Sequence, residues 1–202
     1  MEYFVYCRNR PDADALRAEH LEAHWAFMDG YDDRMIARGP TLTEDRERPT
    51  GSMHIVDLAG EDEARAFAHD EPYAKAGVFE DIMIRRWTNA LKRTMWDFKS
   101  ATNDPRFLFI GTGADDAGTT ALRNGLLEEH RAYLNTPGRV ERGILRGPLW
   151  DPSGETWVGS IFLLEAPDRE YIEAFFADEP YTKAGLYTAF EILPWRFGGR
   201  PG

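Results

Sequence analysis

The sequence predicts an α+β fold built from two successive βαββαβ repeats, and three observations predict it. The phrase "DEPYAKAG" at Asp70–Gly77 returns as "DEPYTKAG" at Asp178–Gly185, changed only at Ala74 against Thr182. Other landmarks keep the same offset of 108 positions: Gly39-Pro40 with Gly147-Pro148, Gly51-Ser52 with Gly159-Ser160, and Trp87 with Trp195. Upstream, "ALRAEHLEAH" (Ala15–His24) matches "ALRNGLLEEH" (Ala121–His130) at an offset of 106. The two-residue difference falls between the histidine and the Gly-Pro, where a connection changes length at little entropic cost.

Each copy is read in the same order. A short apolar run opens it, Phe4–Cys7 or Phe107–Ile110. A helical pattern follows, with Leu16, Leu21, His24 and Met28 matched by Leu122, Leu127, His130 and Leu134. A run ending in Gly-Pro leads to the strand-like "SMHIVDL" or "SIFLLEA". A second helix carries Ala64, Phe67 and Ala68, or Tyr171, Phe175 and Phe176, and the Asp-Glu-Pro-Tyr phrase ends it, because proline removes a donor and disfavours helix at the preceding residue. A last strand, "FEDIMIRRW" or "FEILPWRF", closes the copy. This order is the ferredoxin-like arrangement. Its sheet has helices on one side and an uncovered apolar face on the other, so two sheets in one chain can cover each other. The polar, proline-ended "KSATNDP" (Lys99–Pro105) reads as a linker, giving domains at 1–98 and 106–202 around residues 99–105.

Composition narrows the function classes. Of 202 residues, 43% are hydrophobic, enough for packed cores, and the net charge of −11 argues against nucleic acid or an anionic membrane surface as partner. The basic run "RRWTNALKR" (Arg85–Arg93) reads as a solvated strand end and linker. No apolar stretch has the length of a membrane span and the amino terminus has no signal-like run, so a cytoplasmic location is expected. The lone Cys7 excludes an internal disulfide and a cysteine-based zinc site, and its apolar surroundings suit a buried hydrophobe.

The chemistry-bearing residues recur with the repeat. His24 and His130 lie on the apolar stripe of the first helix of each copy, with Arg17 and Arg123 two turns earlier on nearly the same line. Each histidine reads either as a half-buried group bonded to a backbone carbonyl or as a base oriented by an acid. The acids available are Asp70-Glu71 and Asp178-Glu179. Acids at a helix C-terminus oppose its dipole and so call for a partner. A carboxylate on one imidazole nitrogen would fix the tautomer and free the other nitrogen as base. No dinucleotide or Walker pattern is present, so no cofactor is expected. No metal is expected either: His20 and His24 are spaced i, i+4, but Leu126 replaces His20 in the second copy, and His54 and His69 likewise lack a histidine counterpart and read as structural or accidental.

"AHWAFM" and "EHRAYL", the later Gly-Pro, the Gly-Ser strand and "EPYxKAG" before an apolar strand together resemble the YCII-related family over nearly the whole chain. The resemblance implies ferredoxin-like repeats packed sheet-to-sheet as a dimeric α+β barrel, here intramolecular, and a pocket with a His–acid pair proposed to be catalytic. By position the family histidine falls on His24 and His130. The family acid, commonly Asp, falls on Glu71 and Glu179, with Asp70 and Asp178 as second candidates one residue earlier. Arg17, Arg123, Tyr73 and Tyr181 are the expected substrate-binding residues.

The expected function is that of a small, cofactor-independent isomerase or lyase acting on a small carbonyl, enol or aromatic-derived metabolite. The alternative is a non-catalytic ligand-binding or accessory protein; a cofactor-free or haem-using monooxygenase is a third, related architecture. A small molecule is the expected partner of a monomer with pseudo-dimer architecture, with further homodimerisation left open.

Overall fold

The apolar opening run of the chain lies in strand β1 (Glu2–Asn9) of the computed structural model, which describes residues 1–200. Helix α1 (Asp14–Asp29), strands β2 (Met35–Leu42) and β3 (Pro49–Asp57), helix α2 (Glu61–Asp70), the short helix α3 (Pro72–Lys75) and strand β4 (Phe79–Trp87) follow. The strands lie in the order β2-β3-β1-β4, each neighbouring pair antiparallel. Period-two alternation sends Tyr3, Val5, Cys7 and Val56 to the helix side, where they pack with Met28 of α1 and with Ala64, Phe67 and Ala68 of α2. Cys7 is buried there, and burial pushes its thiol pKa up, as suits a packing residue. The opposite face of the sheet is equally apolar, with Phe4, Tyr6, Met53 and Ile55 all buried.

The second unit repeats the plan with β5 (Arg106–Gly113), α4 (Ala117–Gly125), α5 (Leu127–Leu134), β6 (Gly143–Trp150), β7 (Trp157–Glu165), α6 (Arg169–Ala177), α7 (Pro180–Lys183) and β8 (Tyr187–Trp195). Its strand order, β6-β7-β5-β8, matches that of the first unit. Among the described residues, no helix is long and apolar enough to cross a membrane.

Three features differ from the sequence reading. First, the acidic phrase does more than end a helix. α2 stops at Asp70, Glu71 adopts an extended conformation, and a new helical turn begins with Pro72 at its first position. Glu71 is therefore the N-cap of α3, and Glu179 the N-cap of α7. A carboxylate there favours the helix dipole instead of opposing it, so the dipole argument for a needed partner is reversed. Second, the long first helix of the first unit is broken in the second, where Asn124-Gly125 lowers helix propensity and α4 gives way to α5 around Leu126. Leu122, expected on the inward stripe, is 49% exposed as a result.

Third, the compact units are not contiguous in sequence. The first contains Met1–Trp87, Thr94–Trp96 and the segment from Pro194, and the second contains Thr88–Arg93 and Asp97–Leu193. Backbone pairing explains this. In the first unit the N–H of Arg196 donates to Pro40 O at 3.3 Å and that of Gly198 to Arg38 O at 2.9 Å. In the second, the N–H groups of Thr88 and Ala90 donate to Pro148 O and Arg146 O at 3.3 and 3.1 Å. Gly39 makes the first of these approaches geometrically feasible, since a Cβ at that position would collide with the carbonyl oxygen of Arg196 and crowd the indole of Trp195. Gly39→Ala is accordingly expected to peel residues 196–198 from β2 and cost about 1–3 kcal/mol of stability. A thermal melt checks the cost, and an unchanged melting temperature would show that the segment adjusts without loss.

Candidate functional site

The first-unit site starts from the turn of chain between α2 and α3. Because α3 packs on α1, the cap residue Glu71 is brought under the imidazole of His24. His24 Nδ1 lies 3.0 Å from Glu71 Oε2, and the same oxygen accepts the backbone N–H of Tyr73 at 3.1 Å. The pair is deeply placed, His24 being 8% and Glu71 2% exposed. The Tyr73 ring lies flat against the imidazole, with centroids 4.1 Å apart and planes 13° from parallel. In the tautomer that donates Nδ1–H to the carboxylate, the contact fixes the ring orientation and leaves Nε2 as the acceptor nitrogen.

The second unit repeats this geometry. His130 Nδ1 lies 2.5 Å from Glu179 Oε1, the other carboxylate oxygen accepts the Thr182 N–H at 3.1 Å, and Tyr181 stacks on His130 at 4.0 Å and 2°. In both units the acid against the histidine is the Glu of the phrase. Asp70 and Asp178 are not brought to the histidines: their side chains are 60% and 68% exposed and pair with Lys75 and Lys183 at 3.0 and 2.9 Å. The physical reason is the cap: the extended backbone at Glu71 turns its side chain inward along α3, while Asp70 ends α2 on its wet face.

A cavity of about 660 Å³ opens beside His24, walled by α1, by β2 and β3, and by the segment from Arg196 to Arg200. Arg17 reaches into it from α1. Its Nη1 donates to Asn9 Oδ1 at 3.0 Å and to Ser52 Oγ at 3.1 Å, and its guanidinium lies 4.5 Å from the Tyr73 ring centroid. Burial lowers the Arg17 pKa, an effect opposed by the nearby Tyr73, Glu71 and Asp14. Tyr73 also lines the cavity; its hydroxyl is buried without a hydrogen-bond partner, and burial raises its pKa. His54, on β3, completes the wall, with its ring centroid 5.9 Å from that of His24.

The corresponding positions in the second unit are filled differently. Strand register sets Trp157 against Trp150 as Pro49 is set against Leu42, and Phe162 against Phe109 as His54 is set against Val5. Trp157 is fully buried; its Nε1–H donates to Ser160 Oγ at 3.3 Å, and its ring lies over Gly113. Ser160 and Gly113 correspond to Ser52 and Asn9, the two groups that anchor Arg17. The indole thus takes the serine anchor and covers the glycine that stands where Asn9 would be, which has no side chain to offer. Arg123 donates to Asn124 Oδ1 at 2.9 Å with its guanidinium 5.4 Å from the Trp150 ring centroid, while staying close enough to Tyr181 for its charge to act on that phenol. Phe109, Phe162 and Phe176 pack together where the first unit has Val5, His54 and Ala68. Burial pushes the Tyr181 pKa up to about 12.

His54, Ser52 and Asn9 are absent from the sequence-derived set of site residues. The available signal was β-alternation, which places Ser52, His54 and Val56 on one face of β3, toward the helix that carries His24. Burial holds the His54 pKa well below its ordinary 6.5, assisted by the charges of His24, Arg38 and Arg17. The unfolded chain therefore takes up a proton on this residue near pH 6.5, while the folded chain does so only at lower pH. Stability from this group is present above that value and is lost as pH falls below it. Melting temperature should consequently fall more steeply between about pH 7 and about pH 5 in the wild type than in His54→Phe, and parallel slopes would contradict this.

With the geometry established, comparisons place the chain among known proteins. The YCII-related domain matches residues 1–88 and 95–196. Protein YciI of Escherichia coli O6:H1 is 29% identical over 92 residues, which cover 42% of this chain and 94% of that protein. A 5-chloro-2-hydroxyhydroquinone dehydrochlorinase structure from Burkholderia phenoliruptrix, in complex with 2,5-dihydroxybenzoquinone, is 28% identical, with a TM-score of 0.43 over 46% of this chain and 99% of that one. A mutant chlorite dismutase from Candidatus Nitrospira defluvii is 11% identical, with a TM-score of 0.62 over 98% of this chain and 91% of that one, a likeness of fold. That fold is the dimeric α+β barrel. The chain belongs to the YCII-related family and carries two tandem copies of its domain.

Proposed function

We propose that the first unit is a small-molecule isomerase or lyase working by general acid–base chemistry, with His24 moving the proton and Glu71 orienting it. The observation that carries this reading is the Nδ1–carboxylate contact at 3.0 Å, beside a cavity that His24 itself lines. A carboxylate on Nδ1 fixes the tautomer and stabilises the imidazolium formed when Nε2 accepts a proton, and such positioned proton transfer contributes about 10²–10⁴-fold in rate. The reaction begins with removal of a proton next to a carbonyl or enol. The electron pair left behind either returns to a proton at another carbon, giving an isomer, or expels a leaving group, giving an alkene.

The second-unit pair has the same contact, but Trp157 takes Ser160, the counterpart of the serine that anchors Arg17 in the first, and the counterpart of Asn9 is Gly113. In this reading His130 and Glu179 hold α5 to α7, and turnover belongs to the first unit.

Deuterium exchange from solvent into a panel of small enolisable carbonyl compounds, followed by proton NMR, tests the proposal without knowledge of the full reaction. His24→Gln and Glu71→Gln should each slow exchange by about 10² or more. His130→Gln should lower the melting temperature while leaving exchange in place. Equal exchange in wild type and His24→Gln would defeat the acid–base reading. Tight binding of a panel member without exchange would favour a ligand-binding role instead.

A further inference from the structure

The wall of the same cavity holds two groups that the reading above leaves without a task. His54 is 4% exposed and, among the described residues, its imidazole makes no hydrogen bond, yet it lines the cavity. Its position two residues beyond Ser52 on β3 puts it on the face where Ser52 holds Arg17. Arg17 is the second. Its contacts are Asn9, Ser52 and the Tyr73 ring, all neutral, and among the described residues it forms no ion pair.

The other arginines around the cavity are differently placed. Arg38 pairs with Asp32 at 2.9 Å and with Asp29 at 3.9 Å, Arg48 with Asp14 at 3.6 Å, and Arg200 with Glu22 and Asp29 at 2.7 and 2.9 Å. Arg196 is exposed to solvent. Arg17 is therefore the inward guanidinium without a direct ion pair, the anions that act on it from nearby being Glu71 and Asp14. A partly exposed guanidinium with no direct ion pair and an imidazole with no side-chain hydrogen bond, both lining the cavity, can each engage a ligand that supplies an anion and an acceptor. One small molecule meets both needs if it carries a carboxylate and a nearby carbonyl oxygen.

We propose that the first-unit cavity takes a small carboxylate bearing an enolisable carbonyl, with its carboxylate on Arg17, its carbonyl oxygen on an N–H of His54, and His24 over the carbon that loses the proton. This inference rests on the acid–base reading and names its substrate class. In the step, the C–H bond breaks and the proton passes to Nε2 of His24. The electron pair forms a C=C bond, and negative charge collects on the carbonyl oxygen, where the His54 N–H stabilises it. Where a further C=C bond is conjugated with the enolate, return of the proton to the far end of that system completes the isomerisation with no oxidant or reductant required; otherwise its return to the same carbon gives solvent exchange. His54 acts as a neutral donor, one N–H being all that the step asks of it. The second unit has Phe162 in this place and so offers no imidazole N–H, and its Arg123 is engaged by Asn124 and the Trp150 ring.

Oxalate, a planar mimic of the enolate of a 2-oxo acid, is the probe. Its affinity is measured by titration calorimetry for wild type, His54→Phe, His54→Gln and Arg17→Met, each checked for folding by circular dichroism. Phenylalanine already occupies the equivalent place in the second unit, and His54→Gln is read by the same criteria if His54→Phe does not fold. Wild type should bind oxalate, and both the His54 and Arg17 replacements should weaken it by about tenfold or more. In the exchange assay, pyruvate should outpace acetone in wild type, and that preference should shrink in Arg17→Met. Absence of oxalate binding to wild type, or an affinity unchanged in a folded His54 variant, overturns the substrate assignment. It does so without touching the acid–base reading, which stands or falls separately on whether His24→Gln abolishes exchange.

Discussion

The buried contact between a histidine and the glutamate that caps the next short helix is the constraint on which each unit depends. Glu71 performs three tasks with one carboxylate: it accepts the first free N–H of α3, it holds the Nδ1 of His24, and it thereby ties α1 to the segment leaving α2. These tasks depend on one another. Proline at the first position of α3 sets the backbone that turns the carboxylate inward, and without the cap the carboxylate would have no fixed place under the ring. Removing one partner of such a buried pair leaves the other uncompensated, an effect of about 3–5 kcal/mol. That is a large share of the stability of a domain this size. The phrase can therefore persist in both copies for structural reasons, whether or not both copies perform chemistry.

Around this shared frame the two units are filled on different principles. The first keeps small or polar groups at Pro49, His54 and Ala68, and the space they leave is lined by Arg17, His24 and Tyr73. The second has Trp157, Phe162 and Phe176 at the matching positions, and the aromatic rings stack on one another, with Phe109 and Phe176 at 3.5 Å. Large aromatic side chains bury more apolar area and stabilise accordingly. An imidazole with no side-chain hydrogen bond and a guanidinium with no direct ion pair do the reverse. One unit therefore gives up packing for a polar cavity, and the other gives up the cavity for packing.

The repeat, the element order and the pairing of each histidine with an acid of the phrase were legible in the sequence because each is written twice, whereas the choice of Glu over the preceding Asp, which recurs equally, was not. The rest of the site was illegible because it does not recur. His54 has no histidine counterpart, so comparison of the copies discounts it, although alternation along β3 already placed it beside the helix that carries His24. The role of Trp157 is hidden in the same way, since a tryptophan opposite a proline looks like unconstrained divergence until its Nε1–H is found on Ser160. The dipole argument failed because it treated the phrase as the end of one helix, when proline, disfavoured inside a helix, is well suited to begin the next. The segment exchange was beyond sequence reasoning altogether, because it depends on which carbonyls of β2 and β6 remain open to a passing chain.

Tandem fusion gives this asymmetry a physical basis. Two copies encoded separately within one chain can change independently, so a substitution that fills one cavity leaves the other intact. The exchanged segments make the dependence mutual: residues 196–200, which follow the last strand of the second copy, wall the cavity of the first unit, while Thr88–Arg93 complete the second. Within the first unit that segment holds Gly198 against Gly39 and places Arg200 beside Trp25. Selection on the first cavity therefore acts on residues of both copies. A filled and stable second unit is compatible with that arrangement as long as its last strand delivers the segment in register.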